Sequence, residues 1–443
     1  MVTGRGRQLR RSGRVAVRQL RRIPLRRLVS YPARQGFTAV LAANAIRPVT
    51  SPTVALTTMT AGWLTSELAP HAFALTTVDT ALEVRRPGRS LPRAALGAAN
   101  LVALANIVRT SGQAGAVFDA GLVEVLGEGY RDELGTRHPD LDWKTPLAHL
   151  VWPFRLVPRH VEVRRDVPYS PAHGRRGLLD VYVPQARRDG APAPVLLQVH
   201  GGAWTTGTKN TQGLPLMQHM ASRGWLCVAP NYRLSPRHAF PAHLVDLKCA
   251  IAWVREHAAE YGGDPDFIAI TGGSAGGHLA ALAALTPNDP EYQPGFEGAD
   301  TAVQAAVPFY GVYDFAGITG PAAARMRDTF LGPLVVRRNP RHDLTPFQKA
   351  SPICRVRPDA PPFYVIHGVN DTLVPVGQAR RFVAALREVS ESAVAYVELR
   401  GAQHAFDIFP SVRSQHSVRS ADLFLRWAHD RWTNERLAER PPS

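Results

Sequence analysis

The sequence predicts an α/β protein, a mostly parallel central sheet flanked by helices, with a helical N-terminal extension ahead of it. Three observations carry this. From about residue 161, short apolar runs alternate with helix-length segments. The apolar run 267–270 passes through Gly272-Gly273-Ser274-Ala275-Gly276-Gly277 straight into a small-residue helical stretch, 278–285. The 443 residues, 45% hydrophobic and 20% charged, are enough for one large core plus additional material.

In chain order, residues 1–28 read as a flexible basic arm. Residues 1–66 hold twelve arginines and no acid, so only +4 of the net charge of +16 is left for the other 377 residues. The excess basicity therefore belongs to a tail. Residues 29–112 are low in charge, rich in Ala, Leu, Thr and Val, and read as helices broken at Pro48, Pro52, Pro70, Pro87 and Pro92. Their apolar stretches 49–64, 69–82 and 94–108 fall short of the ~20 residues that a spanning helix needs. Glu67, Asp79 and Arg93 lie in or beside them. Residues 5–27 have a basic start but no apolar core or small-residue cleavage site follows, so a cytoplasmic location is expected. The arm's arginines lack interleaved aromatics and are followed by apolar segments. That fits peripheral contact with an anionic membrane better than nucleic acid.

Residues 113–160 continue the extension with helical pieces around 116–126 and 146–154. Residues 161–167 and 177–182 read as an opening hairpin, and 195–199 and 226–229 as continuous apolar strands. Val245, Leu247, Ile251 and Val254 recur near helical spacing and mark a long amphipathic helix over 242–261. Further strands are expected at 303–309, 362–366 and 395–399, with helices at 376–389 and 418–432. Continuous apolar strands between helices imply a sheet covered on both faces. The stretch 313–352 is longer than a usual connection and reads as part of a cap over a site. This divides the chain into an arm (1–28), an extension (29–160), a catalytic domain (161–433) and a tail (434–443). Cys227, Cys249 and Cys354 are too few and scattered for a disulfide framework or zinc site, and read as small core side chains.

The strand–turn–helix at Ser274 is the pattern that holds one serine in strained backbone at a strand's end. Side chains at Gly272 and Gly276 would collide where strand and helix come closest. A serine hydroxyl is a weak nucleophile unless a base takes its proton and an oriented acid fixes that base. Asp371 lies just past the strand ending near residue 366, and His404 just past the strand ending near 399. Order and placement suit acid and base. Asp314 is the rival acid, and Asp371 could instead cap the helix that follows it. His278 reads as helix packing and His367 as support for the acid loop. After the strand ending at Val199, His200-Gly201-Gly202-Ala203-Trp204 offers backbone amides for a developing oxyanion, and the amide of Ala275 offers another. Which of Gly201, Gly202 and Ala203 donate is left open. No HExxH, paired CxxC or Walker loop competes, and no cofactor is expected.

These motifs, with Asn231-Tyr232-Arg233-Leu234, Phe240-Pro241-Ala242 and Gly262-Gly263-Asp264-Pro265, resemble the α/β-hydrolase carboxylesterases related to hormone-sensitive lipase and their kynurenine-formamidase-like cousins. The resemblance covers about residues 161–433. It implies hydrolysis of small-molecule carboxylic esters of short or medium acyl chain through an acyl-enzyme. Two departures stand out: the oxyanion loop ends Ala-Trp where many relatives have Gly-Phe, and Gly273 stands where Asp is common. Formamidase-like members share the Trp-ending loop, so an amidase or formamidase with the same triad is the alternative, and a long-chain lipase another. A non-catalytic hydrolase fold is disfavoured because no triad member is missing. Residues 29–160 resemble the extended N-termini of bacterial Lip-type carboxylesterases.

Overall fold

The computed structural model describes residues 29–51, 53–88, 90–138, 161–184 and 190–439. The basic arm, the helix expected at 146–154, Pro52 and the end of the tail lie outside them. Eight strands form one sheet: β1 (Glu162–Pro168), β2 (Leu178–Val183), β3 (Ala193–Val199), β4 (Leu226–Pro230), β5 (Gly263–Gly273), β6 (Ala305–Phe309), β7 (Phe363–Gly368) and β8 (Val394–Leu399). Their spatial order is β1-β2-β4-β3-β5-β6-β7-β8. β1 and β2 form the antiparallel hairpin, β2 meets β4 antiparallel, and every later pairing is parallel.

The strands read as unbroken apolar runs because helices cover both faces. Val195, Leu197, Val199, Ile268 and Ile270 point into one core, while Leu196, Phe267 and Ala269 point into the other. Alternation by two along each strand divides them. The helix α8 (Ala242–His257) and the elbow helix α9 (Ala275–Leu285) pack on the first face with α12 (Gly377–Val389). On the second face lie α7 (Leu214–Ala221) and the C-terminal α13 (Val412–Glu439). α13 starts six residues before the expected 418 and runs through the boundary drawn at 434. Between β6 and β7, residues Pro321–Met326 (α10), a π-helical turn Arg327–Val336 and Thr345–Lys349 (α11) fill the long connection. Phe240 N bonds Val335 O at 2.9 Å, which ties this connection to the loop before α8.

The N-terminal region comprises α1 (Tyr31–Ile46), α2 (Ala55–Glu67), α3 (Ala69–Val84), α4 (Leu91–Gly112), α5 (Ala114–Leu126) and α6 (Tyr130–Arg137). Pro70 and Pro92 start α3 and α4 rather than break them, since a first-turn proline sacrifices no hydrogen bond. Phe118, Leu122, Tyr130 and Leu134 enter the core of the sheet's second face, so α5 and α6 belong to the body of the catalytic domain. α1 to α4 share a separate small core of Ala42, Ala45, Ala69, Leu104 and Ile107. The apolar stretch 94–108, expected to be too short to span a membrane, lies inside the 22-residue α4. Running on into α5, that segment is long and apolar enough to do so by length and composition. The sequence pattern stopped at Arg93 and Arg109, whose charged ends the helix simply includes.

Candidate active site

β5 ends at Gly273 and α9 begins at Ala275, so Ser274 alone makes the turn, at φ 61° and ψ −121°. Its amide donates to Phe309 O at 3.0 Å, and its carbonyl accepts from His278 N at 3.0 Å. The glycines are forced by contact. A Cβ on Gly272 would lie 2.6 Å from Gly276 O and Val199 O, and one on Gly276 would run into Val199 O. With strand and helix backbones touching, the serine has no room except outward, at the C-terminal edge of the sheet.

Two loops at that edge face it. His404 Nε2 lies 2.8 Å from Ser274 Oγ, and His404 Nδ1 lies 2.6 Å from Asp371 Oδ2. With Nδ1–H donating to the carboxylate, Nε2 is left to accept the serine proton. Oδ1 of Asp371 accepts from Leu373 N at 2.9 Å and Val374 N at 2.8 Å. The following helix begins only at Gly377, so Asp371 is not its cap. Burial works against the Asp371 charge, yet the adjacent His404 and His367 rings hold its pKa well below the usual carboxylate range. His367 Nε2 donates to Val374 O at 2.8 Å and stands 3.4 Å from Asp371 Oδ2, a support for the acid loop. The rival acid Asp314 is spent on its own turn, accepting from Gly317 N at 2.6 Å and from Thr319 N and Oγ1 at 2.7 Å.

The loop after β3 lies against the elbow: a Cβ on Gly201 would stand 2.6 Å from Gly273 O. The expectation for this loop needs one correction. The amide of Gly201 already donates to Gln212 Oε1 at 2.6 Å, so it is not free to meet a substrate oxygen. Among the described residues, the amides of Gly202, Ala203 and Ala275 have no protein acceptor. Gly202, Ala203 and Trp204 all take positive φ, at 116°, 53° and 60°. Three side chains pin that strained backbone. His200 stacks on Tyr232 at 4.2 Å, Tyr232 Oη donates to His200 O at 2.8 Å, and Trp204 Nε1 donates to His278 Nδ1 at 3.2 Å. Burial lowers the pKa of both His200 and His278 to about 4, so each is a neutral packing imidazole.

Several contributors carry no sequence signal. Gln403 Oε1 accepts from Thr372 N at 2.9 Å and His404 N at 3.0 Å, joining acid and base loops. Tyr310, with its ring centroid 4.7 Å from that of His404, donates to the buried Asp407. The N-terminal helices also reach the site: Asn370 Nδ2 donates to Ala45 O at 2.8 Å, and Thr372 Oγ1 to Ala55 O at 3.1 Å. Only the adjacency of Gln403 to His404, and of Asn370 and Thr372 to Asp371, could have pointed to them.

The chain is similar in sequence to known ester hydrolases. A family model described as BD-FAE matches residues 179–386. The probable carboxylic ester hydrolase LipM of Mycobacterium tuberculosis is 46% identical over 353 residues, 79% of this chain and 80% of LipM. Esterase LipQ of the same organism is 47% identical over 317 residues, 70% of this chain and 73% of LipQ. Among solved structures, the butyrate-bound esterase Est2 of Thermogutta terrifontis is 28% identical with a TM-score of 0.50, covering 60% of this chain and 94% of Est2. Residues 161 onward are too few to supply the LipM match, which therefore extends into the N-terminal helices.

Proposed function

Because this chain belongs to the α/β-hydrolase carboxylesterases, it is a carboxylic ester hydrolase, and we propose that it works as a serine esterase on short to medium acyl chains. Ser274 is the nucleophile, His404 the general base and acid, and Asp371 the group that orients His404. The continuous line from Ser274 Oγ through the imidazole to Asp371, with spacings of 2.8 Å and 2.6 Å, carries this reading.

Ser274 Oγ attacks the ester carbonyl while His404 Nε2 takes its proton. The oxygen that becomes negative is received by the free amides of Gly202, Ala203 and Ala275, each such donor contributing about 100- to 1000-fold in rate. The tetrahedral centre collapses as His404 returns the proton to the leaving alkoxide, which departs as the alcohol. A water then gives a proton to His404 and attacks the acyl-serine; collapse releases the acid and restores the hydroxyl of Ser274. Asp371 stays ionised throughout and stabilises the imidazolium that forms twice per turnover. The butyrate- and propionate-bound forms in which Est2 was solved support a short acyl chain here.

Hydrolysis of p-nitrophenyl esters from acetate to palmitate, by wild type and Ser274→Ala together, tests the proposal. The expected result is a maximum at short or medium chains, with kcat lowered on the order of 10⁶-fold in the variant. A maximum at palmitate would overturn the chain-length assignment. Undiminished activity in Ser274→Ala would overturn the nucleophile, and amides cleaved as fast as matched esters would make the enzyme an amidase.

A further inference from the structure

Helices α1 to α4 are built inside out for a protein surrounded by water. Apart from Tyr31, Leu104 and Ile107, their interior holds polar and small side chains. Asn100 Nδ2 donates to Gln35 Oε1 at 2.8 Å, Gln35 Nε2 donates to Asp79 Oδ2 at 3.0 Å, and Arg34 pairs with Asp79 at 2.7 Å. Gly97 lets α4 approach so closely that a Cβ there would strike Tyr31 Oη and Thr80 Oγ1. Their exterior holds the large apolar side chains. Phe37, Val40, Leu75, Val78, Leu82 and Val102 are each 45% or more exposed. Of the twenty large hydrophobic residues exposed among the described residues, sixteen lie between Val29 and Val117. Polar and small residues inside with bulky apolar residues outside is the packing of helices in lipid, where tails satisfy the outer face and polar groups must find each other.

Length and charge point the same way. α4 has 22 residues, roughly 33 Å at 1.5 Å per residue, against a hydrocarbon layer of ~30 Å. Only about a fifth of the most apolar window in the segment that α4 opens is buried. The bundle has two unlike ends. One is fixed to the catalytic domain, by Asn370 on α1 and by the buried pair of Glu67 with Arg413. At the other, Tyr31 Oη bonds Arg93 O at 3.2 Å, and Arg85, Arg86 and Arg93 stand exposed. Residues 1–28, which precede this end in the sequence, contain ten arginines and no acid. The acids of residues 29–112 are Glu67, Asp79 and Glu83, and each is buried or half-buried.

We propose that α1, α3 and α4 are embedded in a bilayer containing anionic lipid, with α2, whose first residue meets Thr372 and whose last meets Arg413, lying across their base. Hydrocarbon surrounds the apolar shaft, an anionic headgroup layer receives the arginine end, and the catalytic loops stand at the shaft's base. The test takes the detergent-solubilised full chain and exchanges it into vesicles of phosphatidylcholine with phosphatidylglycerol. These are floated through a density gradient at low salt and at about 1 M salt, where exposed charge attraction is screened. The expected result is flotation at both salts, with recovery in the vesicle fraction falling tenfold or more for the combined variant Leu75→Lys, Val78→Lys, Val102→Lys. Hydrolysis of a soluble ester by that variant, unchanged because none of these side chains approaches the catalytic loops, shows that it is folded. Flotation lost in high salt would mean that the arginines alone dock, and flotation retained in high salt by the triple variant would mean that these faces do not lie in lipid; either would overturn embedding. So would a vesicle-free dimer that the triple variant converts to monomer, since a second copy would then cover the shaft. Wild-type flotation in salt decides between embedding and docking even if the triple variant misfolds.

Discussion

Among the described residues, five of the eight non-glycine residues with positive φ are Ala203, Trp204, Ser274, Tyr310 and Ala405, all in the loops around Ser274. Such backbone costs on the order of 1–3 kcal/mol per residue and persists only where neighbours over-determine it. Contacts at Gly276 do this for Ser274. Gly276→Ala sets a methyl against Val199 O, so either the elbow opens or the enzyme fails to fold. The expected outcome is esterase activity lost in whatever soluble protein remains; wild-type turnover would show that the elbow tolerates the methyl. At Asp371 the sign of the pH effect follows from its lowered pKa. A carboxylate whose pKa is depressed on folding adds stability above its unfolded value, about 3.9, and loses it as pH falls through the folded value. Asp371 thus stays charged as pH falls until that lowered value is reached, and adds no step of its own to a rate profile above it. The log rate should therefore fall toward acid with no more than a single unit slope; a slope of two would bring the Asp371 carboxylate into the titration. Asp371→Asn leaves the ring without its orienting charge and should lower kcat by about 10⁴-fold.

Among the elements, legibility tracked how far the partners lie along the chain. β3, β4 and β5 were visible because burial on both faces makes every residue apolar, and Ser274, Asp371 and His404 because each sits at a strand's end. The start of α13 was not visible. Ser414, Gln415, Ser417 and Ser420 are buried there, and Arg413 is buried against Glu67 some 346 residues away, so no apolar period marks its first turns. The loop after β3 was legible as a loop, but the engagement of the Gly201 amide depends on Gln212, eleven residues on, which nothing in the motif foretells. Gln403 belongs with these: it matters through geometry between two loops rather than through chemistry of its own. Gln403→Leu removes the acceptor shared by Thr372 N and His404 N and frees the loops from each other. A shift of about 1 Å in a positioned group costs on the order of 10²-fold. kcat should therefore fall by about that factor with KM little changed, while Gln403→Glu, which keeps the acceptor, retains most of the activity. Equal losses in both variants would reduce Gln403 to a packing role.

Taken as a whole molecule, the N-terminal bundle is wired into the machinery it stands beside. Glu67 at the end of α2 is buried against Arg413 and accepts from Ser411 Oγ at 2.5 Å, while Arg413 Nη2 donates to Ser111 Oγ at 3.0 Å on α4. One buried ion pair thus joins α2, α4 and the start of α13, directly after the loop that carries His404. Desolvating two charges is expensive, and the pair's value lies less in net stability than in allowing only one seating of the bundle on the domain. Removing one partner is a different matter. Glu67→Ala leaves the Arg413 guanidinium buried without its counter-charge, at a cost of about 3–5 kcal/mol. Asn370 and Thr372 bond α1 and the first residue of α2, so loosening the bundle releases the residues on either side of Asp371 as well. Activity should therefore decline at temperatures below the main unfolding transition, a gap that wild type does not show. The double variant Glu67→Met, Arg413→Met removes both charges and fills the space, and should recover most of the lost thermal stability. Thermal denaturation and residual esterase activity, followed in parallel on the three proteins, measure this. Coincident loss of structure and activity in Glu67→Ala would mean that the bundle and the catalytic domain melt as one body. No recovery in the double variant would mean that the pair holds the bundle through its charge, not through the shape it imposes.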